Sequence, residues 1–205
     1  YYFGGRPVTI AGGYAALERE YDKEGRIIEE RYYGTEGQKI LTPEGYHGYH
    51  QEIGEDGYAA TISYFGMDGE PVINKNTNYH RVDRTYYDAK HYTSEEYYDT
   101  EGNKKTTWDT YARIERDFDE RGNTICERYY GLDGAPVARS TGYDEIRQAF
   151  NEQNRVIRIE YYLNGDPVLL SGGYAAIGWE YNEKGQIQWE NYFGTDGKGI
   201  LLPDD

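Results

Sequence analysis

Aromatic pairs recur along the chain at a nearly constant interval: Tyr1-Tyr2, Tyr32-Tyr33, Tyr64-Phe65, Tyr97-Tyr98, Tyr129-Tyr130, Tyr161-Tyr162 and Tyr192-Phe193. The period is about 32 residues, in the range of stacked supersecondary units. The stretch 21–37, YDKEGRIIEERYYGTEG, shows how one repeat is built. Asp22 opens a type I turn and Gly25 takes its positive-φ position; Gly37 repeats the device. Between them, β-branched and aromatic residues suit an extended, half-buried strand. Residues 1–45 and 161–205 align without a gap, YYFGGRPVTIAGGYAALEREYDKEGRIIEE against YYLNGDPVLLSGGYAAIGWEYNEKGQIQWE over their first part.

Glycine recurs too often for helix, and no window keeps an i, i+3, i+4, i+7 stripe. One hairpin cannot bury its own apolar face, so neighbours must stack. The pattern predicts an all-β fold, an elongated, solenoid-like stack of β-hairpins. It divides into about six repeats of about 32 residues (1–31, 32–63, 64–96, 97–128, 129–160, 161–191) and a partial one (192–205), all in one repeat domain. Tyr1 falls inside the pattern, so the chain reads as a piece of a longer protein with neighbouring domains.

The middle repeats drift. Residues 53–57 replace the Y-D-x-x-G turn but keep its glycine, residues 86–91 lack it, and Asn154 stands in its place in the fifth repeat. The polar link 74–78 is slightly long and reads as the loosest place in the array. Counting outward from the turn sets Tyr181 against Ile187, Trp179 against Trp189, Tyr21 against Ile27 and Arg19 against Glu29. On that register Trp179 and Trp189 lie side by side on one strand face.

Composition closes off several classes of function. The net charge is -15, from 37 acidic and 22 basic side chains, which repels phosphate backbones and anionic lipid. Nucleic acid and membrane-surface partners are excluded on that ground. No stretch reaches the ~20 apolar residues needed to cross a bilayer, so no membrane insertion is expected. With 25 Tyr the chain is too aromatic to be disordered. Cys126 is alone and reads as a small buried packer, excluding a disulfide framework and a cysteine zinc site.

The abundant carboxylates sit mostly in turns, where Asp22, Asp68, Asp133 and Asp196 accept backbone N–H bonds. No D-x-D-x-D-G calcium loop, P-loop or G-x-S-x-G motif is present. No metal or other cofactor and no catalytic residues are expected, and the chain does not read as an enzyme. His47 and His50, in GYHGYHQ, read as surface histidines on opposite strand faces, with His80 and His91 also on the surface.

YDKEGRI (21–27) resembles the core of bacterial YD (RHS-type) repeats. YYFGGRPVTIAGGYA (1–15) and NYFGTDGKGI (191–200) resemble the choline- and glucan-binding repeats of bacterial surface proteins and toxins. The period is longer than in either family, and Trp is rarer than in choline-binding repeats. Both resemblances imply a bacterial secreted or cell-surface protein whose repeats have no catalytic role. The first implies a structural shell or stalk, the second carbohydrate or cell-wall binding.

Flat aromatic rings take the apolar C–H faces of sugars, with neighbouring polar groups taking hydroxyls. The recurring Tyr pairs read as the ladder joining one repeat to the next. Trp108, Trp179 and Trp189 are not required by the pattern and are the candidate stacking residues, with Tyr181, Gln188 and Asn191 beside the last two. The expected function is a non-catalytic surface module binding a glycan or cell-wall polymer; the alternative is a structural spacer or shell without a ligand.

Overall fold

The computed structural model describes residues 1–3 and 6–202. Gly4 and Gly5 of the first repeat and residues 203–205 of the partial last one lie outside the described residues. The chain is all-β, with no helix among the described residues. Its strands are β1 Tyr2–Phe3, β2 Arg6–Pro7, β3 Ala16–Tyr21, β4 Ile27–Tyr33, β5 Gly48–Ile53, β6 Ala59–Phe65, β7 Arg81–Asp88 and β8 His91–Tyr98. The second half adds β9 Arg113–Phe118, β10 Thr124–Tyr130, β11 Glu145–Phe150, β12 Val156–Leu163, β13 Asp166–Pro167, β14 Ala176–Tyr181, β15 Ile187–Phe193 and β16 Gly199–Ile200.

Contacts group the chain into two compact units, 1–89 with 95–108, and 90–94 with 109–205. In the first, β3 to β7 pair in chain order, every neighbour antiparallel. In the second, β9 to β12 do the same, β14 follows on β12, and β15 and β16 complete the order while β13 folds back onto β12.

The turn chemistry is as the sequence predicts. Gly25 has φ 79° and its N–H donates to the Asp22 carbonyl at 3.0 Å. Asp22 Oδ1 accepts the backbone N–H groups of Glu24 and Arg26 at 3.0 and 2.8 Å. Asn182 makes the same pair of bonds with Lys184 and Gln186. Asn154 takes the left-handed place at φ 57°. Where the glycine is missing, β7 and β8 are separated by Ala89 and Lys90 alone, neither at positive φ. The 74–78 link is closely bonded: buried Asn74 accepts Asn76 N–H on its side chain and Asn78 N–H on its carbonyl, while Lys75 N–H reaches the Glu44 carbonyl at 2.9 Å.

The register departs from the count made above. Tyr21 does face Ile27 and Tyr181 faces Ile187, but the next pairs are Glu20 with Glu29 and Glu180 with Trp189. Ile28 and Gln188 are extra residues, and Ala60, Ile125 and Ile157 hold the same place in other hairpins. These five hairpins thus each carry a second bulge just inside the turn, which re-aims every later side chain. Arg19 therefore opposes Glu30 rather than Glu29, and Trp179 opposes Glu190 rather than Trp189.

On one face, hereafter the ladder face, the tyrosines form the core. In the first compact unit Tyr14, Tyr32, Tyr46, Tyr64, Tyr79 and Tyr97 follow one another at centroid distances of 4.7 to 6.2 Å. In the second, Tyr111, Tyr129, Tyr143, Tyr161, Tyr174 and Tyr192 do so at 5.0 to 6.3 Å. Each full repeat supplies two rungs, the first ring of its aromatic pair and the tyrosine that follows a positive-φ residue, Gly13, Gly45, Gly142 or Gly173 in four repeats and Asn78 or Thr110 in the other two. Offset or edge-on ring pairs contribute ~0.5–1.5 kcal/mol each beyond area burial, which lets a chain poor in aliphatics hold together. The residue after the second of these rungs is enclosed in five repeats, where Ala15, His47, Ala112, Asp144 and Ala175 are buried; in the third it is the half-buried His80. His47, at 1% exposure, is thus a buried residue and not a surface one. Cys126 is buried on β10, as expected.

Candidate functional site

The bulge at Gln188 decides the geometry around the two tryptophans of the last hairpin. Trp179 and Glu190 share the ladder face, and the indole N–H donates to Glu190 Oε2 at 2.6 Å. Tyr192 donates to the other oxygen of the same carboxylate. The two donors hold Glu190 below the usual carboxylate range, the Tyr192 bond first and the Trp179 bond second. Trp189 and Asn191, by strand alternation, point to the opposite face. The expected side-by-side pair of indoles is therefore not formed.

The remaining candidates are spread out. Tyr181 spends its hydroxyl on the Val156 carbonyl at 2.7 Å, Gln188 is the exposed bulge residue, and Asn191 is exposed opposite Gly178. Trp189 stands 61% exposed. Trp108 belongs to the first compact unit and is 69% exposed, its indole N–H donating to the Lys75 carbonyl at 2.9 Å. That bond ties the indole to the 74–78 link, in which Asn76 reaches toward Glu44 Oε1 at 3.5 Å. The link residue Asn78 in turn donates to the Thr106 carbonyl at 3.0 Å. A large apolar ring with its one polar atom satisfied internally is thus presented outward.

A second feature was not anticipated. The face opposite the tyrosine ladder carries ion pairs and the second ring of each aromatic pair. In later repeats an arginine lies over that ring: Arg81 over Tyr98 at 4.0 Å, Arg113 over Tyr130 at 4.2 Å, Arg147 over Tyr162 at 4.1 Å and Arg158 over Phe193 at 4.4 Å. In the first two repeats the positions opposite the second rings are Ala16, facing Tyr33, and Gly48, facing Phe65. Gly48 is required there, because a Cβ would stand 2.3 Å from the Glu30 carbonyl oxygen and 2.6 Å from the Phe65 ring.

The space left uncovered is a groove of about 460 Å³ bounded by Tyr33, His47, Phe65, Glu18, Glu29 and Lys39. Tyr33 donates to Glu18 at 2.8 Å, which pushes its phenol up. Arg31 is held by Glu20 at 2.6 Å and by Glu29, and the Glu20 bond raises it against the opposing effect of burial. Two sequence signals mark this groove, the loss of the covering arginine and the histidine standing where other repeats have Ala15 or Ala112. Searches against known protein families and curated proteins find no match to this chain.

Proposed function

We propose that the chain is a non-catalytic repeat module of a bacterial secreted or cell-surface protein that binds carbohydrate or cell-wall polymer through exposed aromatic side chains. The observation that carries this reading is Trp108, an indole 69% exposed and held in one orientation through its own N–H. An oriented flat ring that keeps its face open to solvent, on a link that carries amide side chains, suits the apolar face of a sugar. Trp189, exposed on the second compact unit, offers a separate contact. The resemblance to glucan-binding repeats points the same way.

A structural spacer without a ligand is the second reading. It is favoured by the ladder itself, since Tyr32, Tyr97 and Tyr129 are buried as core and are not offered to a ligand. Pulldown on purified cell walls and a glycan array separate the two. Trp108→Ala is expected to weaken glycan binding about tenfold, equivalent to 1.4 kcal/mol, with the fold intact. Absence of any glycan binding by the unaltered chain leaves the spacer reading.

A further inference from the structure

The groove over Tyr33 has a chemistry of its own, and we propose that it binds a primary ammonium group. Its carboxylates are Glu18, Glu29 and Asp68, against Arg31 and Lys39 as the cations, with His50 Nδ1 3.7 Å from Glu29. Arg31 is already committed to Glu20 and Glu29, with Glu18 at 3.8 Å, and Lys39 turns its Nζ to the Met67 carbonyl at 2.7 Å. The site is therefore net negative at its rim, within a chain of net charge -15. An anionic ligand is repelled; a cation is drawn in.

The aromatic rings add to that preference. Tyr33 faces Ala16 and Phe65 faces Gly48, where later repeats lay a guanidinium over the second ring. A cation from a ligand would take up the same ring-face attraction that Arg81 and Arg113 supply from within the chain. The groove is thus a place where the repeat pattern provides the rings and omits the cation.

His47 supplies the third argument. Its ring sits between Tyr33 and Phe65, at centroid distances of 5.5 and 6.2 Å. Nδ1 lies 3.0 Å from the Ile40 carbonyl oxygen, an acceptor only, so Nδ1 carries the proton and donates. Nε2 of the neutral ring is then an acceptor, and it is buried without a partner. A buried acceptor left unsatisfied is costly, and an N–H donor brought by a ligand relieves it. An ammonium group offers three such donors and cancels the surplus charge at once.

Two sources carry this chemistry, an amino sugar and an aliphatic polyamine. The test titrates the chain carrying Trp108→Ala, which removes the proposed glycan platform, by calorimetry with a glucosamine oligomer, its fully N-acetylated counterpart and spermidine. Binding of the free-amine oligomer and not of the acetylated one is expected, weakening with added salt. Spermidine binding as tightly as the oligomer also supports the proposal and assigns recognition to the ammonium alone. Equal binding of the acetylated oligomer, or no binding of either amine, overturns it.

The variants give opposite signs. Glu18→Gln, on an exposed side chain, and Glu29→Gln each weaken amine binding by about twofold to fivefold, the range of a partly exposed charge contact. Lys39→Gln strengthens it by removing a like charge. Trp108→Ala leaves it unchanged, so this site and the proposed glycan platform fail or stand separately. Insensitivity to all three charge changes overturns the assignment of the groove.

Discussion

Arg19 and Glu30 face each other across the first hairpin, Nε to Oε2 at 2.5 Å, and Tyr32 donates its hydroxyl to the other oxygen of that carboxylate at 2.5 Å. The arrangement recurs as Arg116, Glu127 and Tyr129, and with an indole replacing the guanidinium as Trp179, Glu190 and Tyr192. In the second and fifth repeats the same two positions are Gln51 with Ile62 and Gln148 with Ile159. One column of the sheet therefore accepts either a hydrogen-bonded charge pair or an amide beside an aliphatic.

That alternation makes a specific stability prediction. Glu30→Ala strands the Arg19 guanidinium and the Tyr32 hydroxyl, and should cost about 1–3 kcal/mol. Arg19→Gln with Glu30→Ile writes into the first repeat the pair already used in the second, and should cost less, about 1 kcal/mol or under. Denaturant midpoints of the three proteins check the order. A double variant less stable than Glu30→Ala would show that the column is not interchangeable.

The two tryptophans of the last hairpin should behave independently. Trp179→Phe removes a bond to Glu190 and should destabilise, by about 1 kcal/mol, while Trp189→Ala on the other face should change stability by about 0.5 kcal/mol or less. The double variant should equal the sum within ~0.5 kcal/mol, because the side chains share no partner. A larger coupling energy would restore the directly opposed pair that the bulge at Gln188 breaks.

The turn alphabet was readable from the chain because it is local. Asp22, Gly25 and Asn154 state their conformations in two or three residues, and the pairing of Tyr21 with Ile27 follows from them. The second bulge was not readable, since Ile28 and Gln188 are ordinary strand residues with no glycine or proline to announce a break. One missed residue there moved Trp189 to the other face and carried the candidate platform with it. His47 was misplaced for a different reason: spacing within GYHGYHQ gives only its alternation, whereas its column, shared with Ala15 and Ala112, carries the burial. The groove was hidden likewise, because it is defined by what Ala16 and Gly48 lack relative to Arg81 and Arg113.

Acid should loosen the turns before it touches the ladder. Burial works against the charge of Asp22, but the backbone N–H and guanidinium of Arg26 outweigh it and hold the carboxyl below its ordinary 3.8. For Asp119 the Asn123 side-chain bond is the leading cause of the same downward shift. A folded value below the unfolded one means stabilisation that is complete above 3.8 and lost as pH falls through the folded value. Asp22→Asn keeps the acceptor oxygen that Asn182 uses in the last hairpin, so its melting temperature should fall less between neutral pH and about pH 3. An identical fall in both proteins would remove Asp22 from the acid response.

Alkali should act on the ladder itself. Burial pushes the phenols of Tyr46 and Tyr161 up to about 12. Tyr32 and Tyr129 are driven up as well, by burial first and then by their bonds to Glu30 and Glu127. A group whose folded value is raised contributes stability that is fully present below its unfolded value, here 10, and lost as pH rises through the folded one. The fold should therefore come apart between pH 10 and about 12, with tyrosinate absorbance and loss of β-sheet circular dichroism rising in one step. Tyr46→Phe keeps the ring between Tyr32 and Tyr64 and removes the ionisable hydroxyl, so its transition should move to higher pH. Complete tyrosine titration near pH 10 with the sheet signal unchanged would mean that the ladder phenols are open to solvent, against the burial of Tyr32, Tyr97 and Tyr129.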